Sequence, residues 1–260
     1  MSDIETVLAV TAIAGAATGL GALPVFFRTR VSHRVYDASL GLAAGIMIAA
    51  SVFGLIVPGM EEGSLSEVMI GVFLGGFALL VGNRVIPHIH ARYRGWKREG
   101  GAGEEDPEHT SRIRRALLIG GAITLHNAPE GLAIGVAFAS GLEEVALLLA
   151  IVIGLQNVPD GFAFAVPMGE TGASNFRVLV YTTLSGLVPQ MFAAIFGFYL
   201  VTFATGVFSL AAGFAAGAMM AVVFREMIPS SHGHGFADAA TAAFLFGFAL
   251  IVVVDEVLVV

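Results

Sequence analysis

Residues 114–139 read RRALLIGGAITLHNAPEGLAIGVAFA, and residues 144–167 read EVALLLAIVIGLQNVPDGFAFAVP. A hydrocarbon layer about 30 Å thick takes roughly 20 helical residues to cross, and both stretches are long enough. Strands of a transmembrane barrel would alternate polar and apolar over about ten residues. These runs are longer and apolar all round, so each predicts a helix. Each is interrupted once, by HNAPEG in the first and QNVPDG in the second. The interruption begins about eleven residues in, which at 1.5 Å per residue is close to mid-bilayer.

Six further apolar runs lie near 5–27, 36–58, 67–86, 177–203, 206–228 and 236–257, giving eight spans in all. The composition agrees: 57% of the 260 residues are hydrophobic and 13% charged, where a soluble domain carries about 25% charged residues. Mean hydropathy is +0.85. Short loops join most of the runs. The expectation is therefore an all-α integral membrane protein, a single domain over 1–260, with eight transmembrane helices and the kinked fourth and fifth at its centre. The first run has neither a basic leader nor a small-residue cleavage site and is not read as a signal peptide. There are no cysteines, which excludes disulfides and thiolate metal ligation.

With eight spans, all 13 basic residues fall on one side. Arg28, Arg30 and Arg34 lie between spans 1 and 2. Eight more flank or fill the connection between spans 3 and 4, Arg177 lies between spans 5 and 6, and Arg225 sits near the end of span 7. The opposite loops carry only acids. The positive-inside rule makes the basic side cytoplasmic and puts both termini outside. The loop over about 87–113, with REGGAGEEDPEHTSR, is polar and Gly-rich and is read as largely disordered. Six of the seven histidines fall on the same side: His33, His88, His90, His109, His232 and His234. The pairs HIH and HGH either catch a metal ion leaving a pore or are simply polar residues at a membrane surface.

The polar groups have chemical spacing. His126 and Glu130 are i, i+4 and share a helix face; Asn127 and Glu130 are i, i+3. Gln156, Asn157 and Asp160 repeat those offsets. Antiparallel neighbours would bring an imidazole, two carboxylates and several amide oxygens to one depth, a set suited to first-row divalent metals. The two carboxylates supply the charge that balances a divalent cation. Left alone at this depth, they would cost several kcal/mol or take up protons. Pro129 and Pro159 free the carbonyls of Leu125 and Leu155 and kink the helices, while Gly131 and Gly161 let backbones approach. The bland alternative is that the amides merely hold helices together; the matched acids and the imidazole favour a cation site. A repeat between antiparallel spans also suggests a pseudo-two-fold axis in the membrane plane, an arrangement common in carriers.

HNAPEG followed by QNVPDG resembles the ZIP (Zrt/Irt-like) metal transporters, most closely their GufA-like prokaryotic branch. LGLAAGIMIAAS in span 2 and AAGAMMAVVFREMIP in span 7 are similar to that branch too. The resemblance covers essentially the whole chain. It implies movement of divalent metal into the cytoplasm through spans 2, 4, 5 and 7. Carried over by position, His126, Glu130, Gln156 and Asp160 form the primary site and Met47 adds a thioether. Asn127 and Asn157 border a second metal position, and Glu226 is an exit-side ligand. Read alone, Met47 is ordinary core filler and Glu226 a surface ion pair with Arg225.

Three positions depart from the family pattern. Asp160 stands where Glu is usual and Asn157 where Asp is frequent. Pro189 and Gln190 replace a Glu–Pro pair in span 6. One well-formed metal position is therefore expected, with its neighbour weak or absent.

The expected substrate is a divalent metal, zinc foremost, with iron, manganese or cadmium as alternatives. No prosthetic group and no nucleic acid are expected. The bilayer of the cytoplasmic membrane is the constant partner. A homodimer is allowed, because Gly-rich faces such as GLGALP and GVFLGGF can pack within one chain or across two. No Walker-type ATP loop is present. Two rivals remain: a proton-coupled carrier of another solute, in which Glu130 and Asp160 titrate, and an intramembrane metalloenzyme. The latter lacks an H-E-x-x-H pattern and a G-x-S-x-G nucleophile.

Overall fold

The computed structural model describes residues 4–27, 31–98, 126–204 and 206–258, with side chains over 4–27, 31–84, 126–204 and 206–257. Among the described residues every regular element is helical. The helices are α1 (Ile4–Phe27), α2 (His33–Glu62), α3 (Leu65–Arg98), α4 (residues 126–139), α5 (Glu143–Gly169), α6 (Asn175–Phe203), α7 (Phe208–Ser231) and α8 (Ala237–Leu258). All but α4 contain a segment long and apolar enough to cross a membrane, and these segments match the expected spans to within a few residues. The first part of the expected fourth span, 114–125, lies outside the described residues. Of the expected loop over 87–113, residues 87–98 continue α3 as helix, because only Pro87 and Gly95 oppose a run of alanine, arginine and lysine. The remainder, with His109, also lies outside the described residues.

α2, α5, α7 and the described part of α4 are the most enclosed helices, while α3, α6 and α8 expose phenylalanines such as Phe73, Phe77, Phe192, Phe203 and Phe246. Large apolar side chains on an outer face are what a lipid surround requires. Inside, close packing depends on small residues, because lipid offers no hydrophobic drive for helix association. α2 packs mainly on α8 and α3 mainly on α7; α1 packs on α5 and α6. At each contact a glycine pair meets a neighbouring backbone: Gly41 and Gly45 face Ala240 and Phe244, and Gly71 and Gly75 face Leu210 and Phe214. Likewise Gly131 and Gly135 of α4 face Gln190 and Ala194 of α6, and Gly161 of α5 faces Thr18 of α1. The two Gly-rich faces that allowed a homodimer, GLGALP and GVFLGGF, are occupied within the chain by α5–α6 and α7.

α5 runs as continuous helix through Pro159 and Pro167. Irregular backbone occurs in three other helices: α1 tightens to a 3₁₀ segment at Ala17–Ala22, and α2 and α7 each widen into a π turn, at Val52–Ile56 and Val223–Met227. The sequences of these two turns correspond: VFGLIVP over 52–58 and VFREMIP over 223–229. The closing bonds run from the Val57 N–H to the Val52 carbonyl and from the Ile228 N–H to the Val223 carbonyl. In both, the next residue is a proline, which cannot supply the ordinary i→i−4 donor. Single π turns of this kind are frequent at functional positions.

A side chain at Gly45 would meet the Phe244 backbone, whereas Gly82 has open space around it. Gly45→Leu is expected to destabilise the protein by about 1–3 kcal/mol, read as a lowered melting temperature in detergent. Gly82→Ala should leave the melting temperature unchanged or raise it.

Candidate metal site

α4 and α5 carry their polar groups at one level. Gln156 Nε2 donates to Glu130 Oε1 at 2.6 Å, joining the two helices. His126, Asn127, Glu130, Gln156, Asn157 and Asp160 are all buried. The i, i+4 and i, i+3 spacing sets Glu130 against Gln156, with Asp160 beside them, between α4 and α5. Gly131 and Gly161 bear out their reading as points of close backbone approach.

Two oxygens in that space, Glu130 Oε2 and Gln156 Oε1, are buried with no hydrogen-bond donor. A buried acceptor left unmatched costs about 1–3 kcal/mol, and more when charged. The donor set offers carboxylate, amide carbonyl and imidazole, which is compatible with a first-row divalent ion.

His126 is turned elsewhere. Its Nε2 lies 2.7 Å from Glu226 Oε2 and donates to that carboxylate, while Asn83 Nδ2 donates to Glu226 Oε1. Glu226 sits in the π turn of α7, about one-fifth exposed. Among the described ion pairs its partner is His126, so the reading as a surface pair with Arg225 is replaced by a direct link to the α4 group. With His126 so engaged, no three His, Asp or Glu side chains among the described residues are disposed to hold an ion without rearrangement. Met47 is fully buried in the main apolar core, and its carbonyl accepts from Ser51 Oγ at 2.7 Å.

The amide nitrogen of Asn157 is engaged by α1 and α6. Its Nδ2 donates to the Ala14 carbonyl at 2.8 Å and to Gln190 Oε1 at 3.0 Å. Gln190 is fully buried on α6. The position expected to hold a second metal therefore carries a neutral amide pair that ties α1, α5 and α6 together. Asn83 was not anticipated as part of this polar network, and Gln190 was read only as a departure beside the second metal position. Their signal was an amide inside an apolar run, which by itself does not say what it will meet.

The Asn157–Gln190 contact predicts a coupled loss. Asn157→Ala and Gln190→Ala should each lower stability, and the double variant should cost less than the sum, with a coupling of about 1 kcal/mol. Thermal melts of the four proteins test this; strict additivity would contradict the contact.

Comparison with known proteins places the chain. The family model described as ZIP Zinc transporter matches residues 4–255. "Zinc transporter GufA" of Myxococcus xanthus is 37% identical over 95% of this chain and 97% of its own length. "Zinc transporter ZIPB" of Bordetella bronchiseptica is 36% identical over 94% and 78% respectively. Human "Zinc transporter ZIP11" is 30% identical over 92% and 93%. With a family match across nearly its whole length, and membrane-length helices throughout, this multi-pass membrane protein belongs to the ZIP family of metal transporters.

Proposed function

We propose that the chain carries divalent cations, zinc foremost, across the cytoplasmic membrane toward the side that bears the basic loops. His126, Glu130, Gln156 and Asp160 take the ion from water. The observation that carries this reading is the pair of orphaned buried oxygens, Glu130 Oε2 and Gln156 Oε1, beside a second buried carboxylate. A divalent cation supplies what both lack: partners for the oxygens and a charge of +2 against two acids. The names of the relatives support zinc as the ion.

In this reading Glu226 competes with the cation for His126. Before loading, the imidazole donates to Glu226. When the ion arrives, the neutral ring offers its unprotonated nitrogen to the metal and the hydrogen bond to Glu226 is released. Glu226 is then free to receive the ion as it leaves toward the basic end. Met47 contributes a soft thioether from α2, and Asn127 borders the same space. Asn157, committed to Ala14 and Gln190, leaves one strong cation position per chain.

Uptake of radiolabelled zinc into proteoliposomes, with iron and manganese in parallel, tests the proposal. Wild type should transport at least one of them. His126→Ala and Asp160→Ala should lose no less than the 10–100-fold that even outer-shell partners cost a metal site. Absence of uptake for all three ions, or a His126→Ala protein equal to wild type, would sink the idea. Anomalous diffraction from zinc-soaked crystals should find one fully occupied ion between α4 and α5. Two fully occupied ions there would refute the single strong position.

A further inference from the structure

Where α2 begins and α7 turns into α8, two histidines far apart in sequence come together. The ring centroids of His33 and His234 are 4.4 Å apart, with planes 12° from parallel. His234 Nδ1 lies 2.8 Å from Asp37 Oδ1. Asp37 is completely buried and its second oxygen, Oδ2, has no hydrogen-bond partner. His234 itself keeps about a quarter of its side chain exposed, and His33 is exposed. The turn that presents His234 closes at Gly235, whose φ of +88° suits glycine.

We propose that His33 and His234 form a second divalent-cation station, with Asp37 as the positioning residue that orients His234. The arrangement is the one metal-ligating histidines use: one ring nitrogen donates to a buried carboxylate, and the other is held outward for the ion. With Nδ1–H on Asp37, Nε2 of His234 is the ligating atom. Two nitrogens bound to one tetrahedral zinc at 2.0–2.1 Å stand about 3.4 Å apart with their lone pairs converging; stacked rings aim theirs side by side, so the exposed His33 must turn out of the stack to share an ion with His234. Imidazole donors select borderline ions such as zinc over calcium or magnesium.

The neighbouring histidine is excluded from this role. His232 Nδ1 lies 3.0 Å from both the Ile228 carbonyl and Ser231 Oγ, and Nε2 lies 3.5 Å from Thr241 Oγ1, so His232 closes the end of α7. Of the HGH pair, His234 alone faces His33.

Position and strength both suit a release point. Tyr36 stands edge-on to His234 at 5.6 Å and reaches Phe162 of α5 at 6.3 Å, two residues beyond Asp160. The pair therefore lies at the end of α2 that packs on α5, while α2 also contacts the π turn bearing Glu226. Two protein ligands leave the other positions to water. The N-terminus of α2 and nearby Arg34 disfavour a cation, and Asp37 offsets them only in part. A site on an exit route must bind weakly enough to let go.

This inference rests on the reading that the cargo is a divalent cation, and the test separates the two. Zinc is titrated calorimetrically into full-length protein carrying His126→Ala and Asp160→Ala, then into the same protein with His33→Ala and His234→Ala added. The first should retain one weak binding event; in the second it should weaken at least tenfold. Asp37→Asn in the first background should weaken it about 10–100-fold. Cobalt(II) supplies an optical readout, its visible bands changing when imidazole nitrogens leave. Because His33 is exposed, His33→Ala alone should lower zinc affinity without moving the melting temperature of the metal-free protein. Equal zinc binding with and without the two histidines would overturn the station. Should His126→Ala with Asp160→Ala leave uptake intact, the mid-helix reading fails instead, and adding His33→Ala and His234→Ala to the otherwise unaltered chain still decides this one.

Discussion

Glu130 and Asp160 are 0% and 4% exposed, close enough for their charges to interact, and neither is paired with a lysine or arginine among the described ion pairs. Most of the architecture can be understood as a way of keeping two acids in that position. An ionised carboxylate taken out of water loses several kcal/mol of solvation even after the protein relaxes. Gln156 returns one hydrogen bond to Glu130, which meets part of that loss and leaves one oxygen of Glu130 open. A proton on either acid would relieve the rest, and so would a cation. A bundle selected only for stability would replace the pair with apolar side chains of similar volume, which is often neutral or stabilising. In the proposed reading the chain keeps both acids for its cation, and the unpartnered second oxygen of Glu130 is the place for it.

The packing shows how two halves are matched around this point. α2 packs on α8 as α3 packs on α7, and α1 packs on α5 as α4 packs on α6. Exchanging α1 with α6, α2 with α7, α3 with α8 and α4 with α5 maps each contact onto another. The same exchange relates HNAPEG to QNVPDG and VFGLIVP to VFREMIP. Spans so related run in opposite directions, the pattern of an inverted repeat with its site at the join. The halves differ in what the repeat carries. The π turn of α7 holds Glu226, which reaches His126, whereas at the matching position the π turn of α2 has Leu55, buried in the apolar core. One functional turn thus has a structural counterpart, and the asymmetry gives the site a preferred side from which Glu226 approaches.

Much of this was legible in the sequence because it depended on neighbours along the chain. Apolar length announces a span, and the i, i+4 relation of His126 and Glu130 announces a shared face; both are local. The contacts that complete the picture are not. His126 meets Glu226 across 100 residues, Asn157 meets Ala14 across 143, and His234 meets Asp37 across 197. An amide such as Asn83 or Gln190 looks the same in a one-dimensional string whether it binds a ligand or a neighbouring helix. The π turns were not read from the sequence for a related reason: they precede Pro58 and Pro229, where the donor bonds reach one residue further back, and a proline alone does not say whether the turn before it widens.

The pair formed by Asn157 and Gln190 bears on how many ions the protein handles at once. Two metals bridged by Glu130 and Asp160 would bring four positive charges into a buried space. Balancing them would need further acids near the second ion. At that place the chain has an amide donating to an amide and to a backbone carbonyl, a contact that adds no charge. A second cation would have to break both hydrogen bonds and expose itself to the orphaned Nε2 of Gln190, the positive end of that amide's dipole. The neutral pair therefore does more than omit a ligand: it holds α1 and α6 against α5, and in the proposed reading Asn157 in place of an acid, with Pro189 where the family has Glu, makes occupancy beside the first ion unfavourable.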